Sequence, residues 1–135
     1  MTARLEFTGA FEMLDFVQLV SDHIARSIGL DDDAMHWVGV SVRESVVNAI
    51  KHGNRHDAAK HVYVEFDTGN DDALTIRVRD EGTGFDPATL PDPLAPDNLL
   101  KPEGRGIFLI RSFMDEVAIG KAPQGGTEIL MVKRR

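Results

Sequence analysis

The chain has 135 residues, of which 42% are hydrophobic and 27% charged, as expected for one globular domain that can hold a core without disulfides or metals. Its 15 Lys and Arg against 22 Asp and Glu give a net charge of −7, which argues against direct nucleic-acid binding and against an anionic membrane surface. Cysteine is absent, which excludes disulfides and thiol catalysis, and no apolar run resembles a signal peptide or a membrane span. These features predict a cytoplasmic protein.

Hydrophobic periodicity, together with glycine and proline breaks, predicts the elements in chain order. They are a strand over Ala3–Thr8, a helix over Phe11–Ile28 closed by Gly29, a helix from about Asp33 to His52, a hairpin of strands His61–Asp67 and Ala73–Asp80, a long loop over Glu81–Glu103, a helix over Gly106–Asp115, and a hairpin of Glu116–Gly120 with Thr127–Lys133. This order predicts one α+β domain over residues 1–135, a two-layer sandwich of a mixed, mostly antiparallel sheet with helices on one face. The loop contains five prolines, and a loop of this length is usually a lid, a binding loop or disordered.

Three adjacent acids, Asp31, Asp32 and Asp33, precede the second predicted helix. We interpret them as the N-cap and first turn of that helix rather than as a metal site, because carboxylates stabilise the positive end of a helix.

The second predicted helix carries a narrow polar stripe. Ser41, Glu44, Asn48 and the pair Lys51 and His52 recur at spacings of three and four residues, so they share one face. The remaining circumference is mostly Val, Ala and Ile, which is typical of a largely buried helix. A carboxylate and a carboxamide on such a helix need partners.

Two interpretations of this stripe stay open from spacing alone. In the first, Glu44 pairs with Arg43 or Lys51 on a solvated seam. In the second, the seam lines a cavity in which the Asn48 carboxamide binds a hard cation and Glu44 acts as a base or orients water.

Two glycine clusters flank the long loop. Asp80–Gly84 (D-E-G-T-G) directly follows a predicted strand, where glycines allow a close backbone approach and the carboxylate can accept hydrogen bonds from a planar heterocycle. Gly104–Gly106 (G-R-G) opens a predicted helix, whose free N–H groups suit phosphate. Alone, either cluster could be an ordinary turn. Neither matches the Walker or the Rossmann pattern.

Taken in order, these segments resemble the ATP site of the GHKL superfamily, and most closely that of the small bacterial anti-sigma-factor serine kinases. The resemblance covers nearly the whole chain, and the residues that carry it are Glu44–Gly53, Asp80–Pro87, Gly104–Ile110, Met114–Val117 and Gly126–Ile129. It implies the GHKL ATP-binding fold and protein serine kinase activity with ATP and Mg²⁺.

The resemblance also implies a role for each matching residue. Asn48 would coordinate Mg²⁺, and Glu44 would take the proton from the attacking serine hydroxyl. Asp80 would accept a hydrogen bond from the adenine amino group, with Thr127 beside it. The segment 81–103 would form a lid over the nucleotide.

The glycines take their implied roles from the same comparison. Gly82 and Gly84 would let the chain pass close to the base and the sugar. Gly104, Arg105 and Gly106 would close the lid and present N–H groups to phosphate.

By resemblance, the partners are a sigma factor, which the kinase holds inactive, and a STAS-type antagonist, which it phosphorylates on serine. Such proteins often pair as homodimers through the first strand and the first helix. The alternative function is a nucleotide-binding regulator that sequesters a partner without transferring phosphate.

Overall fold

The computed structural model describes residues 1–8, 11–69, 71–82 and 105–135. Its strands are β1 (Thr2–Thr8), β2 (His61–Asp67), β3 (Ala73–Arg79), β4 (Glu116–Lys121) and β5 (Thr127–Arg134). Its helices are α1 (Leu14–Ser27), preceded by a 3₁₀ turn over Phe11–Met13, α2 (Asp32–Asn48), which runs into a π turn over Ala49–Gly53, and α3 (Arg105–Phe113).

The strands form one sheet in the order β1-β2-β3-β5-β4, and each neighbouring pair is antiparallel. Alternation in β2 turns Val62, Val64 and Phe66 toward the helices, where all three are buried. The opposite face carries charged side chains, such as the ion-paired Arg77 and Glu65. The predicted α+β sandwich is therefore confirmed.

Helix α2 lies at the centre of the helical layer. Its apolar face, Val38, Val42 and Val46, is fully buried in the same core as the inward residues of the sheet. The helix starts at Asp31, whose Oδ1 accepts the N–H of Ala34 at 2.7 Å, so the predicted capping by this acidic run is confirmed.

The chain reverses between α1 and α2 at Gly29, which has a φ of 81°. The N–H of Leu30 bonds to the carbonyl of Ala25 at 3.1 Å, and that of Gly29 to the carbonyl of Arg26 at 3.0 Å. Left-handed glycine after a last helical turn satisfies otherwise free carbonyls, as the sequence predicted for this position.

The single tryptophan lies half-buried at the start of α2. Trp37 stacks on Phe113, the last residue of α3, with ring centroids 3.6 Å apart and planes within 3°. This contact fastens one end of α3 to the first half of α2 and leaves the other end of α3 facing the second half.

Candidate functional site

Asp80 is the first residue after β3, and its carboxylate is held inside the protein. The residue is only 5% exposed. Its Oδ1 accepts two backbone N–H groups, from Gly82 at 2.9 Å and from Thr127 at 3.0 Å. Burial raises the pKa of Asp80 above its ordinary value, although these two N–H groups and the charge of Lys60 act in the opposite direction.

Three glycines surround this carboxylate and leave no room for side chains. A Cβ added to Gly53 would overlap the Asp80 carboxylate and lie 2.8 Å from its Oδ1. A Cβ on Gly126 would lie 2.9 Å from the same oxygen, and one on Gly82 would overlap the carbonyl oxygen of Gly53. The backbone therefore packs directly on the acid, and Gly126 also needs its positive φ of 80°.

Thr127, the first residue of β5, adds a polar atom without a partner. The residue is 4% exposed, and among the described residues its buried Oγ1 makes no hydrogen bond. Its own N–H is bound to Asp80, so the unpaired hydroxyl belongs to the same cluster. A buried hydroxyl without a partner is costly, and a bound heterocycle or its water would satisfy it.

A second cluster joins α2 to the start of α3. Glu44 and Asn48 lie one turn apart on α2 and are both half-buried. A Cβ on the buried Gly106 would lie 2.6 Å from the Glu44 Oε2 and 3.6 Å from the Asn48 Nδ2. The first turn of α3, with N–H groups free of helical partners, therefore faces an acid and an amide.

The solvated seam, in which Glu44 pairs with Arg43, is not what the structure has. Arg43 instead reaches across to α1, where its guanidinium donates to Asp15 at 2.9 Å and to Gln18 at 3.0 Å. Within the described ranges, Glu44 forms no ion pair with Lys51 either. The Glu44 carboxylate thus lies against the first turn of α3, next to Gly106.

One continuous segment connects the two clusters. The last residue of α2 is Asn48, and the π turn that follows carries the chain to Gly53, which packs on Asp80. A π turn widens the helix end and is often found at functional sites. The acid–amide pair therefore lies at one end of this segment, and the buried aspartate packs against its other end.

Seven predicted site residues fall in the described chain. Six of them divide between these clusters, with Glu44, Asn48 and Gly106 in one and Asp80, Gly82 and Thr127 in the other. Arg105 is described only as the first residue of α3. Gly84 and Gly104 lie outside the described residues, as does the predicted lid from residue 83 onward.

Sequence reasoning missed three residues of the site. The sequence assigns Gly53 to the end of a helix and to the family motif, and Gly126 to a turn and to the same motif, but neither is predicted to contact Asp80. Asn54, which is 1% exposed, carried no signal beyond its position after a glycine. Contacts between distant segments decide all three roles, and no local pattern encodes such contacts.

A sequence model of the histidine kinase-like ATPase domain matches residues 11–133. The chain belongs to this family. The family assignment implies ATP as the nucleotide and agrees with a site in which a buried acid and an unpaired hydroxyl lie at one end and an acid–amide pair at the other.

Curated relatives of this family member include anti-sigma F factors and serine-protein kinases RsbW. An anti-sigma F factor of Oceanobacillus iheyensis is 34% identical over 76% of this chain and 70% of the relative. The anti-sigma F factor of Bacillus subtilis is 29% identical over 96% of this chain and 89% of the relative. A serine-protein kinase RsbW of Staphylococcus aureus is 30% identical over 90% and 79%.

Among solved structures, the RsbU and RsbW domains of a Mycobacterium tuberculosis protein superimpose with a TM-score of 0.70 at 17% identity. The match covers 99% of this histidine kinase-like ATPase domain but only 32% of the solved chain, and it supports the fold alone. No helix in the described part of this chain is long and apolar enough to cross a membrane.

Proposed function

We propose that this chain is an ATP-dependent protein serine kinase that acts as an anti-sigma factor. It would hold a sigma factor inactive and phosphorylate a STAS-type antagonist on serine. The observation that carries the proposal is that Glu44 and Asn48 face the first turn of α3. The same helix continues into the turn whose last residue, Gly53, packs on Asp80. The names of the relatives, anti-sigma F factor and serine-protein kinase, support the same function.

In this proposal, the Asp80 cluster binds the adenine. The carboxylate accepts the N–H of the adenine amino group, while the Thr127 hydroxyl gains the partner that it lacks. Gly53, Gly82 and Gly126 keep the backbone close enough for the carboxylate to stay fixed. The triphosphate then extends along α2 toward Asn48 and the first turn of α3, where backbone N–H groups favour anions.

The acid–amide pair suits the transfer step. The Asn48 carboxamide oxygen is a hard ligand and would hold Mg²⁺, which when bound neutralises charge on the phosphates. Glu44 would take the proton from the attacking serine hydroxyl, and its position against Gly106, at the start of α3, supports this role. Most of the remaining catalysis would come from positioning.

We propose residues 1–135 as one ATP-binding domain, with residues 81–103 as its lid. The first and last strands support a single domain, because β1 pairs with β2 and β5 lies between β3 and β4 in one sheet. Since a sigma factor is the proposed partner, we place the protein in the cytoplasm.

A homodimer is also proposed. Strand β1 lies at one edge of the sheet, and α1 together with the turn before it exposes large apolar side chains, among them Leu19 (67% exposed), Phe16 and Phe11. Exposed large apolar side chains and an edge strand with unpaired backbone groups are each typical of a surface that is covered by a partner.

The test of the kinase uses labelled ATP, Mg²⁺ and the cognate STAS protein. We compare the wild type with Glu44→Gln and with the control Glu65→Gln, a change on the opposite face of the sheet. Wild type and control should label a serine, whereas Glu44→Gln should bind ATP but transfer phosphate about 10²–10⁴-fold more slowly, the usual contribution of a general base.

Two outcomes would contradict parts of this proposal. An unchanged rate in Glu44→Gln would remove Glu44 as the base. A wild type that binds ATP and the STAS protein but labels no serine would rule out the kinase and leave the sequestering regulator.

A further inference from the structure

Asn54 is a buried amide that joins three segments. Its Nδ2 donates to the carbonyl of His61 at 3.0 Å, and its Oδ1 accepts the N–H of Glu81 at 2.8 Å. Asn54 itself follows the π turn at the end of α2, His61 starts β2, and Glu81 comes directly after Asp80. One side chain therefore ties the helix end to both strands of the first hairpin.

The residue after Asp80 is held a second time through its own side chain. The Glu81 carboxylate accepts the N–H of His61 and, at 3.3 Å, the hydroxyl of Tyr63. These two contacts lie at the protein surface, whereas both Asn54 hydrogen bonds are part-buried and Asn54 itself is only 1% exposed. Asn54 is thus the anchor on Glu81 that is better shielded from water.

The position of Glu81 helps to fix the direction of the Asp80 carboxylate, beside the N–H of Thr127. Gly82, which follows Glu81, donates its N–H to the Asp80 Oδ1, so any rotation of the Glu81 backbone moves this donor away. Gly53, which precedes Asn54, packs on the same carboxylate from the other side. A lost Asn54 amide would therefore loosen two supports of the acid together, the Gly82 N–H and the packing of Gly53, and would leave the N–H of Thr127 in place.

Carboxylate direction bears on the choice of base. Adenine carries an amino donor where guanine carries a carbonyl acceptor, and an ionised carboxylate only accepts. A fixed carboxylate therefore binds the adenine amino group and repels the guanine carbonyl group. A carboxylate that can turn away discriminates less between the two bases.

The backbone after Asn54 agrees with an anchoring role. Arg55 and His56 both have positive φ values, 51° and 60°, which non-glycine residues rarely adopt. The N–H of Asn54 bonds to the carbonyl of Ala49 at 2.7 Å, and that of His56 to Ile50 at 2.9 Å. Such a conformation persists only where its surroundings fix it, and it is found mainly at functional positions.

We propose that Asn54 is a positioning residue that sets the selectivity for adenine over guanine by fixing the Glu81 backbone and, through it, the Asp80 carboxylate. The inference rests on the ATP site proposed above, and Asn54 touches no part of the nucleotide itself.

The test measures dissociation constants for Mg·ATP and Mg·GTP by titration calorimetry on the full chain. In Asn54→Ala, the constant for ATP should rise about tenfold, as expected when a fixed hydrogen-bond acceptor is lost, while that for GTP changes less than about twofold. Asn54→Asp keeps the acceptor for Glu81 and loses the donor to His61, so it should lie between wild type and Asn54→Ala.

Thr68→Ala is the matched control at the other end of β2. Thr68 is also buried, and its hydroxyl bonds to the amino group and carbonyl of Met1. Its loss should lower the melting temperature and leave both dissociation constants unchanged, so a loss of stability alone cannot imitate the expected result.

Three results would overturn the inference. One is a folded Asn54→Ala with the ATP-to-GTP ratio of the wild type, and a second is an equal loss of both nucleotides. If Asn54→Ala does not fold, Asn54→Asp decides by the same ratio. The third result needs no variant: unprotected hydrogen exchange of the Glu81 backbone amide in the wild type would show that Asn54 does not hold it. A wild type that binds neither nucleotide would instead contradict the ATP site itself.

Discussion

Replacing Gly53 by alanine tests the central packing contact of the proposed adenine site. An added Cβ would lie 2.8 Å from the Asp80 Oδ1 and closer still to the Oδ2. Non-bonded heavy atoms prefer about 3.5–4.0 Å, so the carboxylate would have to retreat by about 1 Å or more. Its hydrogen bonds from Gly82 and Thr127 hold it against that movement.

The sign of the effect on stability is informative because it opposes the usual one. Gly53 does not have a positive φ, and at such positions Gly→Ala normally stabilises a protein by about 0.4–1 kcal/mol. Overpacking costs about 1–3 kcal/mol, and each hydrogen bond to an ionised group contributes about 1.5–3 kcal/mol. With at least one of these bonds weakened, we expect Gly53→Ala to lower the free energy of unfolding by about 2–4 kcal/mol.

The assay is thermal and urea unfolding of Gly53→Ala beside Gly120→Ala, followed by ATP titration of whichever variants fold. Gly120, on β4, has no heavy atom within 4 Å of an added Cβ and no positive φ, so this control should be neutral or slightly stabilised. Gly53→Ala should also lose ATP affinity, because the carboxylate is displaced. If Gly53→Ala is as stable as its control and binds ATP as the wild type does, the close packing on Asp80 is wrong.

The remaining predictions concern the acid, the amide and the tryptophan. Burial raises the pKa of Asp80 in the folded protein above its ordinary value of 3.8. The folded protein therefore loses stability as the pH rises from about 3.8 through this raised pKa, because Asp80 must ionise inside the protein. Without nucleotide, Asp80→Asn should therefore unfold at pH 7 at a temperature equal to or above that of the wild type, and this advantage should disappear near pH 4. The variant should also bind ATP weakly. A melting temperature below that of the wild type at pH 7 would contradict the reasoning. In Asn48→Ala, adding Mg²⁺ should no longer raise the affinity for ATP in calorimetry with and without EDTA, and a gain equal to that of the wild type would remove the metal assignment. ATP should change the fluorescence of Trp37 through α3, and Phe113→Leu should abolish that change without altering affinity; an identical change in the variant would show that the stack transmits nothing.

Patterns within single segments predicted the elements and half of the site. The alternation in β2, the capping by Asp31 and the turn at Gly29 each follow from neighbouring residues, and the structure has all three. The stripe that includes Glu44 and Asn48 was visible for the same reason, since helical periodicity sets which side chains share a face.

The interpretation of that stripe could not be decided from spacing, because it depended on Arg43. An arginine next to a glutamate in sequence can pair with it or point away, and only the packing of α1 against α2 brings Asp15 and Gln18 within reach of this guanidinium. Likewise, Gly53 and Asn54 owe their importance to Asp80, 26 and more residues later in the chain. Tertiary contacts of this kind have no signature in a single sequence.

The two clusters place opposite demands on the fold. An ionised Asp80 is favoured by water and disfavoured by burial, yet among the described residues three glycines surround it and two N–H groups donate to its Oδ1. Glu44 differs from Asp80, because it is half-buried and forms no ion pair within the described ranges. Selectivity for a base needs a fixed acceptor, while a base that moves a proton needs access to its substrate. A carboxylate that is buried and held by two N–H groups therefore suits the proposed role of Asp80, and a half-buried one suits that of Glu44.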